Sequence, residues 1–124
     1  MEEKIKILLV DDEIDFLEAS RKRLAKRGYL VECAASCGAA LPVLERNWPD
    51  VVVLDVMLPD KNGIQFLKEI KGQWPRLAVI LLSGHASMQA GVQGIEHGAY
   101  DYCLKPVELD ELIEKIKLAC EEAR

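Results

Sequence analysis

The sequence predicts an open, doubly wound α/β domain, with a five-stranded parallel sheet and helices on both faces. Three observations lead there. Short apolar runs alternate with longer stretches whose apolar residues recur at helical spacing. Two of the runs, residues 51–54 and 77–82, carry no polar side, as strands covered on both faces do. Regular strand–helix alternation in turn implies parallel pairing through right-handed crossovers. The chain has 124 residues, 50% of them hydrophobic, which suits one domain with its own core.

Residues 5–10 form the first apolar run, interrupted only by Lys6 and followed by acidic residues. Residues 13–27 then place Ile14, Leu17, Leu24 and Ala25 on a helical stripe, and Gly28 reads as its stop. Residues 29–35 form the second strand. Residues 37–46 read as a helix in which Pro42 is expected to kink the element or delay its start. Residues 51–54 are the third strand. Residues 62–72 fit a helix with Ile64, Phe66, Leu67 and Ile70 facing inward. Residues 77–82 are the fourth strand. Residues 86–97 are a weaker helix, because Gly91 and Gly94 each cost about 1 kcal/mol relative to alanine. Residues 100–104 are the fifth strand. Leu109, Leu112, Ile113, Ile116 and Cys120 make one stripe on a last helix.

Composition excludes several functions. The formal net charge is −5, and no broad basic face is available for nucleic acid or an anionic membrane. The chain is not small, loop-rich or signal-bearing, so Cys33, Cys37, Cys103 and Cys120 are not expected to form a disulfide framework, and no second close Cys or His pair completes a metal site around Cys33 and Cys37. The four are expected to be reduced, mostly buried thiols. The N-terminal residues lead into no apolar signal segment, and no apolar run is long enough to span a bilayer. The expectation is a cytoplasmic protein with no membrane partner.

In sheets of this kind the ligand site lies beyond the carboxyl ends of the strands. Asp11, Asp12 and Glu13 follow the first strand and Asp55 the third. Ser83 and Gly84 follow the fourth, and Lys105 and Pro106 the fifth. Two carboxylates about 4 Å apart repel by roughly 4 kcal/mol at an effective dielectric near 20. Three of them call for a counter-cation, raised pKa values, or both. A hard divalent ion with oxygen ligands meets that need, and Mg²⁺ leaves positions for phosphate oxygens. Lys105 supplies a point charge for a phosphoryl group and Ser83 a hydroxyl donor. These are the parts of phosphoryl transfer, where positioning and charge neutralisation do most of the catalysis. An acidic first loop argues against a flavin or nucleotide site, which needs glycines and bare N–H groups there.

The sequence resembles the receiver domains of two-component response regulators along essentially its whole length. The resemblance rests on Ile7-Leu8-Leu9-Val10-Asp11-Asp12-Glu13 and on Leu54-Asp55-Val56-Met57-Leu58-Pro59-Asp60 with Asn62-Gly63. Ser83-Gly84-His85 and Gly98-Ala99-Tyr100-Asp101-Tyr102 leading into Lys105-Pro106 complete it. It implies the flavodoxin-like strand order 2-1-3-4-5, and it makes residues 1–124 one receiver domain with no output domain among them. It implies that Asp55 accepts a phosphoryl group from a sensor histidine kinase or a phosphotransfer protein. Mg²⁺, for which Mn²⁺ can substitute, would be held by Asp11, Asp12, Asp55 and the backbone carbonyl of Met57. Ser83 and Lys105 would bind the phosphoryl oxygens, and the Lys105–Pro106 bond would be cis. Ser83 and Tyr102 would form the switch pair. The surface of the fourth helix, fifth strand and fifth helix would then control an output domain or downstream partner, often a transcription regulator, and could support a homodimer. The same resemblance makes the chain a signalling domain and not an enzyme, although it assists its own phosphorylation and dephosphorylation. Met57 is expected to shield the acyl phosphate with its side chain, and His85 to influence the approach of water. The glycine-bearing fourth helix is expected to be loosely held and to shift on activation. Two other readings are a phosphorylation-independent adaptor and an aspartate-nucleophile phosphatase. The latter needs a second aspartate two residues after the first, where this chain has Met57.

Overall fold

The computed structural model describes residues 3–84 and 88–123. Strands β1 (Lys6–Val10), β2 (Leu30–Ala34), β3 (Val51–Asp55), β4 (Ala78–Ser83) and β5 (Asp101–Leu104) alternate with five helices. These are α1 (Ile14–Lys26), α2 (Cys37–Glu45), α3 (Gly63–Gln73), α4 (Met88–Glu96) and α5 (Leu109–Glu122). All strand pairs are parallel, in the order β2-β1-β3-β4-β5. Every residue of β3 and β4 is buried, which accounts for their unbroken apolar composition. No helix among the described residues is long and apolar enough to cross a membrane.

Side chains alternate across a sheet, so neighbouring strand residues feed opposite cores. Ile7, Leu9, Val53, Ile80 and Leu82 pack with Leu17 and Leu24 of α1 and with Leu112 and Ile116 of α5. Leu8, Val10, Val52, Leu54 and Leu81 pack with Leu44 of α2 and with Phe66, Leu67 and Ile70 of α3. Thus β1 and β3 are neighbours whose following helices cover opposite faces. In open sheets of this kind a ligand site lies outside the carboxyl ends of the strands at such a reversal.

Two local expectations are corrected. Ile14 is 60% exposed and Ala25 is also exposed; the buried face of α1 is Leu17, Ser20 and Leu24. At 3.6 residues per turn, Ile14 and Ala25 sit roughly 90–110° round the helix from the centre of that face. Pro42 does not delay α2, which starts at Cys37 with Ser36 Oγ accepting from the Ala39 N–H at 3.1 Å. Pro42 lies on the exposed side, as does Gly38 one turn earlier, whose carbonyl the proline cannot serve. Cys37, Cys103 and Cys120 are buried free thiols, while Cys33 is exposed. Burial pushes the Cys37 thiol up to about 12 and that of Cys103 to about 11.

Candidate functional site

Parallel pairing brings all the carboxyl ends to one edge. Val10 pairs with Leu54, Asp55 with Leu82, and Ser83 with Leu104. The ladder then runs one step further, because the Lys105 N–H donates to the Ser83 carbonyl at 2.7 Å. Asp11, Asp55, Ser83 and Lys105 therefore arrive together from four strands.

Asp11 is fully buried, Asp55 is 5% exposed and Asp12 is exposed. Carboxylate oxygens of the three lie within 4.8 Å of one another. The Asp11 Oδ1 accepts from the Glu13 N–H at 2.9 Å, and the Asp55 Oδ1 from the Met57 N–H at 3.1 Å. Each buried carboxylate is thus oriented by the backbone two residues on.

The Lys105 ammonium bridges the cluster. Its Nζ lies 2.6 Å from Asp11 Oδ2, 2.8 Å from Glu13 Oε1 and 3.3 Å from Asp55 Oδ2. It also sits over the Phe16 ring of α1, 5.0 Å from the centroid, a favourable place for a cation. Burial alone would lower its pKa. The hydrogen bonds to Asp11 and Glu13 and the charges of Asp11 and Asp55 outweigh that and push it above its ordinary value. Asp55 moves up as well: burial is the main cause and the Asp11 charge adds to it, against the Met57 N–H and Lys105. Asp55 thus carries a charge that its surroundings only partly compensate. The all-oxygen donor set of the three aspartates could bind a hard divalent cation.

Ser83, fully buried at the end of β4, has its Oγ 3.5 Å from the Gly84 carbonyl. Met57 is 70% exposed, and its backbone pairs with Asn62 as an isolated bridge. The Lys105–Pro106 bond is cis. His85 lies outside the described residues, as do residues 86 and 87 of the helix expected at 86–97.

Tyr102 is half-buried and held from two sides. A methyl group added at Gly91 of α4 would come within 2.7 Å of its ring. From α5, Lys115 places Nζ 2.6 Å from the Tyr102 carbonyl and 5.8 Å from the ring centroid. A Cβ at Gly94 would likewise collide with Leu81 of β4. The two glycines are therefore more than weak points of a helix. They let α4 lie close against β4 and β5, where a larger residue would push it away.

Five participants had no role in the sequence reading. Glu13 and Phe16 hold Lys105. Lys115 holds Tyr102. The Asp60 carboxylate accepts from the N–H groups of Cys37 and Gly38 at 3.1 and 3.0 Å, tying the loop after β3 to the start of α2. Those two bonds keep the Asp60 pKa below its ordinary value. A Cβ at Gly63 would meet the Asp55 carbonyl and lie 2.6 Å from Val56 Cα, so only glycine lets α3 begin against the end of β3. Glu13, Asp60 and Gly63 stood within the motifs quoted from the sequence, without a role assigned; Asn62 Oδ1 accepts from the Ile64 N–H at 2.7 Å, an N-cap just before Gly63.

Comparison with known proteins decides the family. The model of the response regulator receiver domain matches residues 7–117. The chain belongs to this family. The receiver domain is 36% identical over 107 residues to the regulatory protein AtoC of Escherichia coli (strain K12), covering 86% of this chain and 23% of that protein. It is 39% identical over 113 residues to the transcriptional regulatory protein KdpE of Mycobacterium tuberculosis, covering 91% of this chain and 50% of KdpE. It therefore spans between about a quarter and a half of the length of these curated relatives. Among solved structures, a response regulator receiver domain from Clostridium thermocellum is similar with a TM-score of 0.91 at 33% identity, covering 95% of each chain. NtrX from Brucella abortus has a TM-score of 0.91 at 34% identity, with 98% of this chain and 28% of NtrX covered. The fold, the strand order and membership among two-component response regulators are as the sequence led one to expect.

Proposed function

We propose that Asp55 of this receiver domain accepts a phosphoryl group in a Mg²⁺-dependent reaction, and that the modification changes how the α4–β5–α5 surface binds a partner. The observation that carries the reading is the side-chain cluster at the carboxyl ends of β1 and β3. There a buried aspartate with a raised pKa stands 3.3 Å from a lysine ammonium and within 4.8 Å of two further carboxylates. A structural scaffold has no need of such a costly cluster, which speaks against the inert adaptor. A phosphatase of the aspartate-nucleophile type lacks its second aspartate, because Met57 occupies that place.

In the proposed step an Asp55 carboxylate oxygen attacks the phosphorus of a phosphohistidine on a sensor kinase or phosphotransfer protein. An O–P bond forms, the P–N bond breaks, and the leaving imidazole nitrogen takes a proton. Asp11, Asp12, Asp55 and the Met57 carbonyl would hold Mg²⁺, which neutralises charge on the transferring group. Lys105 and Ser83 bind phosphoryl oxygens once they are attached to Asp55. Ser83 moving toward that group makes room for Tyr102 to turn inward, a packing-linked two-state change. This is signalling chemistry on the protein itself, without turnover of an external substrate. The partner would be an output domain or a downstream protein, for transcription control as in KdpE, with a homodimer as one form of the response.

Intact mass after incubation with acetyl phosphate tests the reading. The expected result is a Mg²⁺-dependent gain of one phosphoryl group in the wild type and none in Asp55→Asn. An equal gain in both, or a gain indifferent to Mg²⁺, would remove Asp55 or the metal from the mechanism.

A further inference from the structure

Lys105 has no donor to spare. An ammonium offers three N–H groups, and Asp11, Glu13 and Asp55 supply acceptors for all three. A phosphoryl oxygen that takes a hydrogen bond from this ammonium must displace one of them. The three are unequal. Asp11 is fully buried and its other oxygen is committed to the Glu13 N–H, so releasing it would strand a buried charge. Asp55 is the group being modified. The Glu13 side chain is 63% exposed, and water can replace the lysine there at small cost.

Glu13 is also out of character for its position. It is the N-cap of α1, a place that favours Ser, Thr, Asp or Asn, yet its side chain caps nothing. Its carboxylate reaches Lys105 instead. Resting on the phosphoacceptor reading, we propose that Glu13 is a displaceable charge gate: it shares Lys105 in the resting domain and competes with the phosphoryl group for that lysine. Its negative charge, at hydrogen-bonding distance from the same ammonium, opposes the incoming anionic group as well as competing with it. Glu13 is therefore a positioning residue that acts through Lys105.

The test compares the full 124-residue chain as wild type, Glu13→Gln and Glu13→Ala. Beryllofluoride is titrated by calorimetry at saturating Mg²⁺, at low and at high salt. Glu13→Ala is expected to bind beryllofluoride about two- to fivefold more tightly than wild type at low salt. Glu13→Gln, which keeps an acceptor but loses the charge, should fall between them. The difference should shrink at high salt, because an exposed charge is screened. A purely structural role would move the melting temperature and leave this salt-dependent ratio at one. Equal or weaker binding by Glu13→Ala at low salt would overturn the gate. A wild type that binds no beryllofluoride with Mg²⁺ would overturn the phosphoacceptor reading itself, and the gate with it.

Discussion

Over β1 and β3 the carboxyl edge of the sheet is bound by charge, with Lys105 bridging Asp11, Glu13 and Asp55 and backbone N–H groups orienting the two buried carboxylates. Over β4 and β5 it is bound by close contact, with Gly91 of α4 against the Tyr102 ring and Gly94 against Leu81. The first kind of bond depends steeply on which groups are ionised. The second depends on shape, and it can be remade in another arrangement when a neighbour moves. One half of the edge is thus held by charge and the other by shape. The switch proposed above would draw on both.

The largest effect should come from removing the lysine at the charged half. Lys105→Ala leaves buried Asp11 and Asp55 without their cation, and loss of one partner of a buried pair typically costs about 3–5 kcal/mol. Urea unfolding should show a loss of this order without Mg²⁺, and added Mg²⁺ should recover part of it by linkage. A loss unaltered by Mg²⁺ would mean that the carboxylates are not what Lys105 stabilises.

A smaller effect, of a few degrees in melting temperature, should follow Asp55→Asn, and it should be a gain. The folded-state pKa of Asp55 is raised, so its ionised form opposes folding. That penalty is full above the raised pKa and fades as pH falls through it towards the ordinary value. The stability advantage of Asp55→Asn should therefore be present at neutral pH and vanish in acid. Asp60, in the loop that follows β3, provides the opposite sign. Its lowered pKa contributes stability above about pH 4 that is lost below it. Melting curves of Asp55→Asn and Asp60→Asn from pH 3 to 7 should diverge in opposite directions from wild type at the neutral end. Parallel curves would break the contrast between buried and backbone-bound carboxylates.

The smallest change in stability belongs to the contact half. Gly91→Ala gains about 1 kcal/mol of helix propensity and loses a similar amount in forcing the Tyr102 ring aside. The net melting temperature should hardly move. The ring resonances of Tyr102 should shift, and the amides of α4 should exchange faster than those of α1 and α5. Unshifted Tyr102 resonances in this variant would show that the ring does not depend on the glycine.

The strand runs, their alternation with helices and the five strand-end residues were legible because they follow from local periodicity and chain order. A parallel sheet then has no freedom about where its carboxyl ends meet. That places Asp11, Asp12, Asp55, Ser83 and Lys105 at one edge before any side chain is positioned. Less was legible where a residue has two plausible local roles. Ile14 and Ala25 fit the apolar stripe of α1 by spacing, but the face that packs on the sheet is centred on Leu17, Ser20 and Leu24 and leaves them outside. Gly91 and Gly94 read as weak helix positions, because their packing value lies in Tyr102 and Leu81, on other strands.

By itself the sequence determined the fold class, the order of its elements and which residues stand at its carboxyl edge, since hydrophobic periodicity and chain order act along the chain. Only the tertiary structure decided that Glu13 would share Lys105 with the aspartates, that Phe16 would lie beneath it, and that Asp60 would hold the start of α2. Those partners lie 92, 89 and 23 positions apart in the chain. Nothing in local spacing marks such pairs; they form because packing two helices and a loop around the sheet brings their side chains within reach.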